Sequence, residues 1–305
     1  MQIITYRELE PKDDFMMLME IAFWWPISPK TMRERIETDA RLKHSPVGFC
    51  AVKDGRLIGF VGVMDIPTKT VAGETEIIGG VWAVATDPGF ARQGICKTLM
   101  ENALDYFRLQ NYRFSFLCTS RTIIAYRIYR EMGYEEVEST NQYDSVYKVL
   151  DKPESANPRL RAHLDPHKAY RTYETFVKGK VGFVVRQSDF VAMYLRRKRF
   201  DESKSILLAN GYALVSENQD MTKIQEMVAL GYDTYEELID KTEISAKAGV
   251  INRAVADPKL LDIYKSRGYG VHTSNNNVLM AKPLKEARFS EVYGDSFYIG
   301  GLDWF

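Results

Sequence analysis

Val84-Ala-Thr-Asp-Pro-Gly-Phe-Ala-Arg-Gln-Gly-Ile-Cys-Lys97 is the stretch whose reading decides the fold. An apolar run, Ile77 to Val84, leads into it and stops at Asp87-Pro88. Beyond it, apolar residues fall at Ile95, Leu99, Ala103, Leu104 and Phe107, the spacing of one helix face. The segment therefore reads strand, turn, helix. Such a turn aims backbone N–H groups and a helix dipole at one place, which suits an anionic phosphate. Arg92 and Lys97 add positive charge there.

The neighbouring segments extend this pattern. Phe114–Thr119 reads as a short apolar strand. Thr122, Ala125, Ile128 and Tyr129 then belong to a helix that stops at Gly133-Tyr134, before a new extended run, Glu135–Tyr147. Upstream, Ile3–Leu9 reads as a strand and Pro11–Ala22 as an amphipathic helix broken by Trp24-Trp25-Pro26. Ser28-Pro29 caps and opens a second helix, Lys30–Arg41. Asp54-Gly55 between Val47–Lys53 and Arg56–Asp65 signals a hairpin, and Glu74–Thr86 is the next strand.

A chain of 305 residues has the length of two domains. Its 45% hydrophobic and 27% charged residues predict a packed soluble protein. The 41 basic and 41 acidic residues cancel, which argues against bulk attraction to nucleic acid or to an anionic membrane. No apolar run reaches the roughly 18 residues of a membrane span, and no leader is read at the start. Cys50, Cys96 and Cys118 have no metal-ligand spacing, so free thiols in a reducing cytoplasm and no bound metal are expected.

The second half contains an echo of the first. Ile128-Tyr-Arg-Glu-Met-Gly-Tyr134 resembles Ile263-Tyr-Lys-Ser-Arg-Gly-Tyr269, and each precedes an extended run. Val181–Arg186 and Leu207–Glu217, with Asn210-Gly211 inside it, are strand-like. The chain reads as a duplication. Residues 1–150 form the first domain, the proline-bearing 151–168 a linker, 169–290 a second copy and 291–305 a tail. The second copy has no counterpart of Arg92-Gln93-Gly94, so one phosphate site is expected per chain.

These residues resemble the GNAT superfamily of acyl-CoA-dependent N-acyltransferases over about 1–148. The family's pyrophosphate loop is matched by Ala91-Arg92-Gln93-Gly94-Ile95-Cys96, with Ala91 and Cys96 departing from the usual residues. Ala125-x-x-x-Tyr129-x-x-x-Gly133-Tyr134 is the second recurrent segment, with Thr122 where many members have asparagine. The tandem arrangement is similar to the enhanced-intracellular-survival type without its sterol-carrier-like domain. The resemblance implies two tandem α/β (α+β) domains, each a mixed, mostly antiparallel sheet flanked by helices.

It also implies an enzyme, an N-acetyltransferase in which a primary amine attacks acetyl-CoA directly. A non-catalytic acyl-CoA-binding or regulatory protein is the alternative. The implied cofactor contacts are Val84, Ala85, Thr86, Arg92, Gln93, Gly94, Ile95, Cys96, Lys97, Thr122 and Ala125. Tyr129 is the implied general acid. The usual glutamate base would fall near Gly80, which cannot serve, and Glu74 and Glu76 read as solvated edge charges. By resemblance to the tandem type, the terminal carboxylate of Phe305 is the expected base, delivered by the apolar tail. Phe23, Trp24, Trp25 and Trp82 are candidates to line the cleft for a small-molecule or peptide amine; a homo-oligomer is compatible with this reading.

Overall fold

The computed structural model describes residues 1–137, 144–151, 164–255, 257–273 and 276–304. In chain order the first elements are β1 (Gln2–Thr5), α1 (Asp13–Phe23), α2 (Pro29–Thr38), α3 (Ala40–Lys43), β2 (Gly48–Lys53), β3 (Arg56–Lys69), β4 (Thr75–Thr86), α4 (Ile95–Leu109), β5 (Phe114–Ser120), α5 (Ile124–Glu131) and β6 (Glu135–Glu136). Then come β7 (Asp144–Val149), α6 (Pro166–Phe176), β8 (Val181–Phe183), α7 (Phe190–Arg196), β9 (Ile206–Leu207), β10 (Gly211–Asn218) and β11 (Met221–Ala229). The last are α8 (Tyr232–Ser245), β12 (Gly249–Asn252), α9 (Pro258–Ser266), β13 (Gly270–Thr273), β14 (Asn277–Pro283), α10 (Phe289–Tyr293) and β15 (Phe297–Ile299).

Local chemistry sets the boundaries. The Ser28 hydroxyl accepts from the Thr31 N–H at 3.2 Å, and Pro29 occupies the first turn of α2. Asp54 and Gly55 both have positive φ, the turn that matches the twist of the β2–β3 hairpin. Ile95, Leu99, Met100, Ala103, Leu104 and Phe107 form the buried face of α4, as their spacing predicts.

The chain divides into two compact units that are not contiguous in sequence. The first comprises residues 1–137 and 278–292, and the second holds 144–151, the described residues of 164–277, and 293–304. In the first, the sheet order is β1-β2-β3-β4-β5-β14-β6. In the second, it is β13-β7-β12-β11-β10-β9, with β8 and β15 forming a parallel pair. Most pairings are antiparallel; β4–β5 and β11–β12 are parallel.

The expected boundary at 150 is thereby corrected. The last strand of each copy completes the sheet made by the other half of the chain. Apolar alternation defines a strand and its faces but not its partner, so Glu135–Tyr147 reads as one run although β6 and β7 join different sheets. Helix α6 also begins at Pro166, inside the expected linker, where the Asp165 carboxylate accepts from the His167 and Lys168 N–H groups. The rest of that linker, 152–163, lies outside the described residues.

One face of the first sheet packs on α4 through Val61, Val63, Val81, Leu99, Ala103, Phe107 and Met280. On the other face Phe15 of α1 meets Phe60 edge-on, with centroids 4.8 Å apart. The second sheet packs α8 and α9 on one face and α6 and α7 on the other. The order β11, α8, β12, α9, β13, β14 repeats the order β4, α4, β5, α5, β6, β7.

The sequence echo has a structural basis. Gly133 and Gly268 both take a left-handed φ, +83° and +77°, just past a helix end. In each copy the second tyrosine's N–H donates to the first tyrosine's carbonyl at 3.0 Å, Tyr134 to Tyr129 and Tyr269 to Tyr264.

Met280 is fully buried in the first unit's core although it comes from the far end of the chain. Met280→Ala is expected to cost about 2–5 kcal/mol. Urea denaturation measures it; a change under about 0.5 kcal/mol would disprove the exchanged strand.

Candidate active site

Strands β4 and β5 run in register from the Gly79–Ser115 pair through Gly80–Phe116 to Val81–Leu117. Each continues beyond that point, β4 to Thr86 and β5 to Ser120. On its other side β4 carries an irregularity: Trp82 pairs with Gly62 and Ala85 with Phe60, so Ala83 and Val84 have no registered partner on β3. Ala83 has φ +48°. Such a bulge re-aims the backbone and breaks the ladder. The Thr119 hydroxyl, at the free end of β5, is buried without a hydrogen-bond partner.

The turn after β4 is held by the Asp87 carboxylate, which accepts from the Gly89 N–H at 2.8 Å. Arg92 has φ +62°, and Gly94 caps α4 with φ +79°. A Cβ on Gly94 would meet open space, so its backbone conformation and not crowding calls for glycine. No side chain caps this helix and no acidic residue lies in its first turn. The first N–H groups of a helix lack intrahelical acceptors, so they face the turn with the positive end of the dipole. Arg92, Gln93 and Lys97 are exposed around them. Lys53, 5.4 Å from the Phe90 ring centroid, and Arg56, 3.8 Å from Asp87, add cations at the hairpin end.

The parted strands, the α4 turn and α5 converge on one core. Val81, Ile95, Leu117, Tyr129 and Tyr134 belong to it, and Val84, Cys96 and Ala125 pack against it. Tyr129 is only 5% exposed. Burial, then the neighbouring Cys96 and Tyr134, push its phenol well above the usual range, so it remains protonated at neutral pH. Its hydroxyl has no hydrogen-bond partner among the described residues. Tyr134 differs, sharing a 2.7 Å hydrogen bond with Ser115. Burial also raises the Cys96 thiol, which makes it an apolar wall and not a nucleophile.

In the second unit the equivalent place is filled. The registered pairs of β11 and β12 end at Ile224–Asn252. Tyr264 is fully buried there, accepting from the Asn252 amide at 3.4 Å and donating to the Met227 sulfur at 3.8 Å.

Other predicted residues are dispersed. Ala85 and Thr86 pair with β3, and the exposed Thr122 hydroxyl bonds Ser120 at 2.8 Å. Trp82 is a core residue: its indole N–H donates to the Val63 carbonyl at 3.3 Å and its ring meets Phe60 at 5.5 Å. Trp24 is 89% exposed, Phe23 is exposed, and Trp25 lies under the Arg35 guanidinium at 4.6 Å. Glu76, at the opposite end of β4, pairs with Arg113 at 3.2 Å. Phe305 lies outside the described residues. The described tail before it belongs to the second unit, where Leu302 is buried and Asp303 grips the Arg186 side chain at 2.7 and 2.9 Å.

Sequence reasoning missed Thr119, Lys53 and Arg56. Only strand register places them beside the turn. It also missed Glu136, which accepts from Tyr126 at 2.5 Å and pairs with both ends of the Arg121 guanidinium. This clamp ties β6 to α5 and to the loop before it.

Residues 12–134 match the acetyltransferase (GNAT) family. No curated protein matches the sequence. Among solved structures, the chain is similar to a GCN5-related N-acetyltransferase from Anabaena variabilis, with TM-score 0.64, 13% identity and coverage of 93% of this chain and 73% of that one. It is also similar to Eis1 from Mycobacterium abscessus, with TM-score 0.62, 16% identity and coverage of 93% and 74%. A tandem GNAT protein from the clavulanic acid biosynthesis pathway matches with TM-score 0.53, 12% identity and coverage of 94% and 99%. At these identities the likeness is one of fold. The first unit contains a GNAT acetyltransferase-family domain, and the whole chain has the tandem-GNAT fold.

Arg121 holds the Glu136 carboxyl down at about 2, against an ordinary 4.5. A depressed carboxyl stabilises the fold above its unfolded value and loses that contribution as pH falls toward the folded one. Glu136→Gln should be less stable than the parent at pH 7, with the gap closing as pH drops from 4.5 toward 2. Urea melts across that window test this; a gap independent of pH would refute the clamp.

Proposed function

We propose that the first unit transfers an acetyl group from acetyl-CoA to a primary amine. The α4 turn holds the pyrophosphate through its N–H groups, Arg92 and Lys97. The pantetheine arm lies between the parted ends of β4 and β5, where backbone groups around Val84 to Thr86 and the Thr119 hydroxyl take up its amides. The amine attacks the thioester carbon, and an N–H near Val84 stabilises the tetrahedral oxyanion. As that intermediate collapses, the C–S bond breaks, the Tyr129 O–H gives its proton to the departing thiolate, and the proton shed by the attacking nitrogen passes through solvent to restore the phenol. Ala125 and Cys96 pack beside it as apolar walls. Trp82, on the opposite face of the sheet from Val81, supports the acceptor side from beneath.

The observation that carries this reading is the contrast between the two tyrosines. Tyr264 has the same helix, cap and buried ring as Tyr129, but its hydroxyl is tied to Asn252 and Met227. Tyr129 keeps a protonated, unengaged hydroxyl beside strands that part. One competent site per chain follows.

Calorimetry with acetyl-CoA is expected to give one site per chain. Gly94→Val forces a branched side chain into a left-handed conformation and should weaken binding about tenfold or more. Tyr129→Phe should lower kcat about 100-fold with acetyl-CoA affinity kept, measured as thiol release with an amine panel. Binding without thiol release in the parent would mark the chain as a non-catalytic acyl-CoA binder. Absence of binding heat would reject the reading altogether.

A further inference from the structure

Away from that site, the second unit gathers cations on one sheet face. Lys223 of β11 stands between Ser216 of β10 and Ile251 of β12. Arg253 lies two residues beyond Ile251, just past the end of β12, and its charge acts on Lys223. Its carbonyl accepts from the Ser145 hydroxyl at 3.3 Å, which anchors it to β7. Arg199 approaches from the segment after α7. The Arg199 N–H donates to the Tyr194 carbonyl at 3.1 Å, and the Asp201 N–H to the Val215 carbonyl at 2.7 Å. Val215 faces Ile224, the chain neighbour of Lys223.

Uncharged donors stand beside Lys223. Gln225 donates to the Ser216 oxygen at 2.6 Å, which leaves the Ser216 O–H free to donate outward. No side chain of Lys223, Arg253 or Arg199 has an ion pair or hydrogen bond among the described residues. By contrast Lys247 pairs with both Glu217 and Asp220, and Lys204 with Glu217. Burial and the charges of Arg253 and Arg199 lower the Lys223 ammonium from its ordinary value, so the three groups repel one another.

We propose that Lys223, Arg253 and Arg199 form a binding site for a doubly charged oxyanion, a phosphate or a phosphate ester. Lys223 supplies the central charge and the two guanidiniums supply planar pairs of N–H donors, the geometry that suits phosphate oxygens. Ser216 completes the cradle. The site is independent of the α4 turn.

Thermal melts of the full chain at constant ionic strength test the proposal. Millimolar inorganic phosphate should raise the midpoint of the parent by about 2 °C or more. Lys223→Gln and Arg253→Gln should lose that increment, while Arg253→Lys retains part of it. In phosphate-free buffer Lys223→Gln should melt no lower than the parent, because removing the central charge relieves repulsion. The α4 turn is unchanged in all of these variants, so the difference between them reads this cluster alone. Glycerol 3-phosphate outperforming inorganic phosphate assigns the site to esters, and the reverse assigns it to the free ion. An equal increment in both glutamine variants, or the same increment from chloride or acetate at matched ionic strength, overturns the proposal.

Discussion

The first unit depends on β4 leaving β5. Registered pairing ends at Val81–Leu117, and a bulge at Ala83 and Val84 turns the β4 backbone away from its ladder on β3. Two strands that stayed paired would satisfy every N–H and carbonyl and leave nothing to offer a ligand. Strands that part leave backbone groups and the Thr119 hydroxyl wanting partners, at a cost that protein interiors normally avoid. The same departure delivers the chain into the turn at Arg92 and Gly94, so strand end and helix start open toward one volume.

Duplication shows how little separates an open wedge from a closed one. Both copies end a helix with a left-handed glycine, and both bury a tyrosine pair. In the second copy, an amide and a thioether fill the space beside the first tyrosine of the pair. The helix that follows begins Gly231-Tyr232-Asp233, with an acidic residue in its first turn that would repel an anion. Retaining such a copy is explained in part by the strand it supplies. Without β14 the first sheet would lose Val278 and Met280 from its core and leave β5 with an open edge.

Legibility followed the range of the interactions. The α4 face and the Asp54-Gly55 hairpin were plain in the sequence, because spacing and turn residues are local signals. So was the duplication, since a left-handed cap demands glycine wherever it recurs. The exchange of β7 and β14 was not legible, because a strand's pattern names its faces and not its neighbours. Trp82 read as a candidate cleft wall, yet its indole is satisfied by a carbonyl 19 positions away in the chain. The free hydroxyl of Tyr129 and the tied one of Tyr264 are identical as letters. Their difference lies in what folding brings beside them.

The exchanged strand has a consequence for biogenesis. A ribosome releases residues 1–137 long before β14 exists, so the nascent first unit waits with its sheet unfinished while the entire second copy is synthesised. Contacts so remote in sequence slow folding, and an unfinished edge invites wrong partners meanwhile. β7 stands in the opposite situation, made early and kept waiting for β12 and β13. The two halves mature together once β12, β13 and β14 have been made, which makes that late segment the step that commits both.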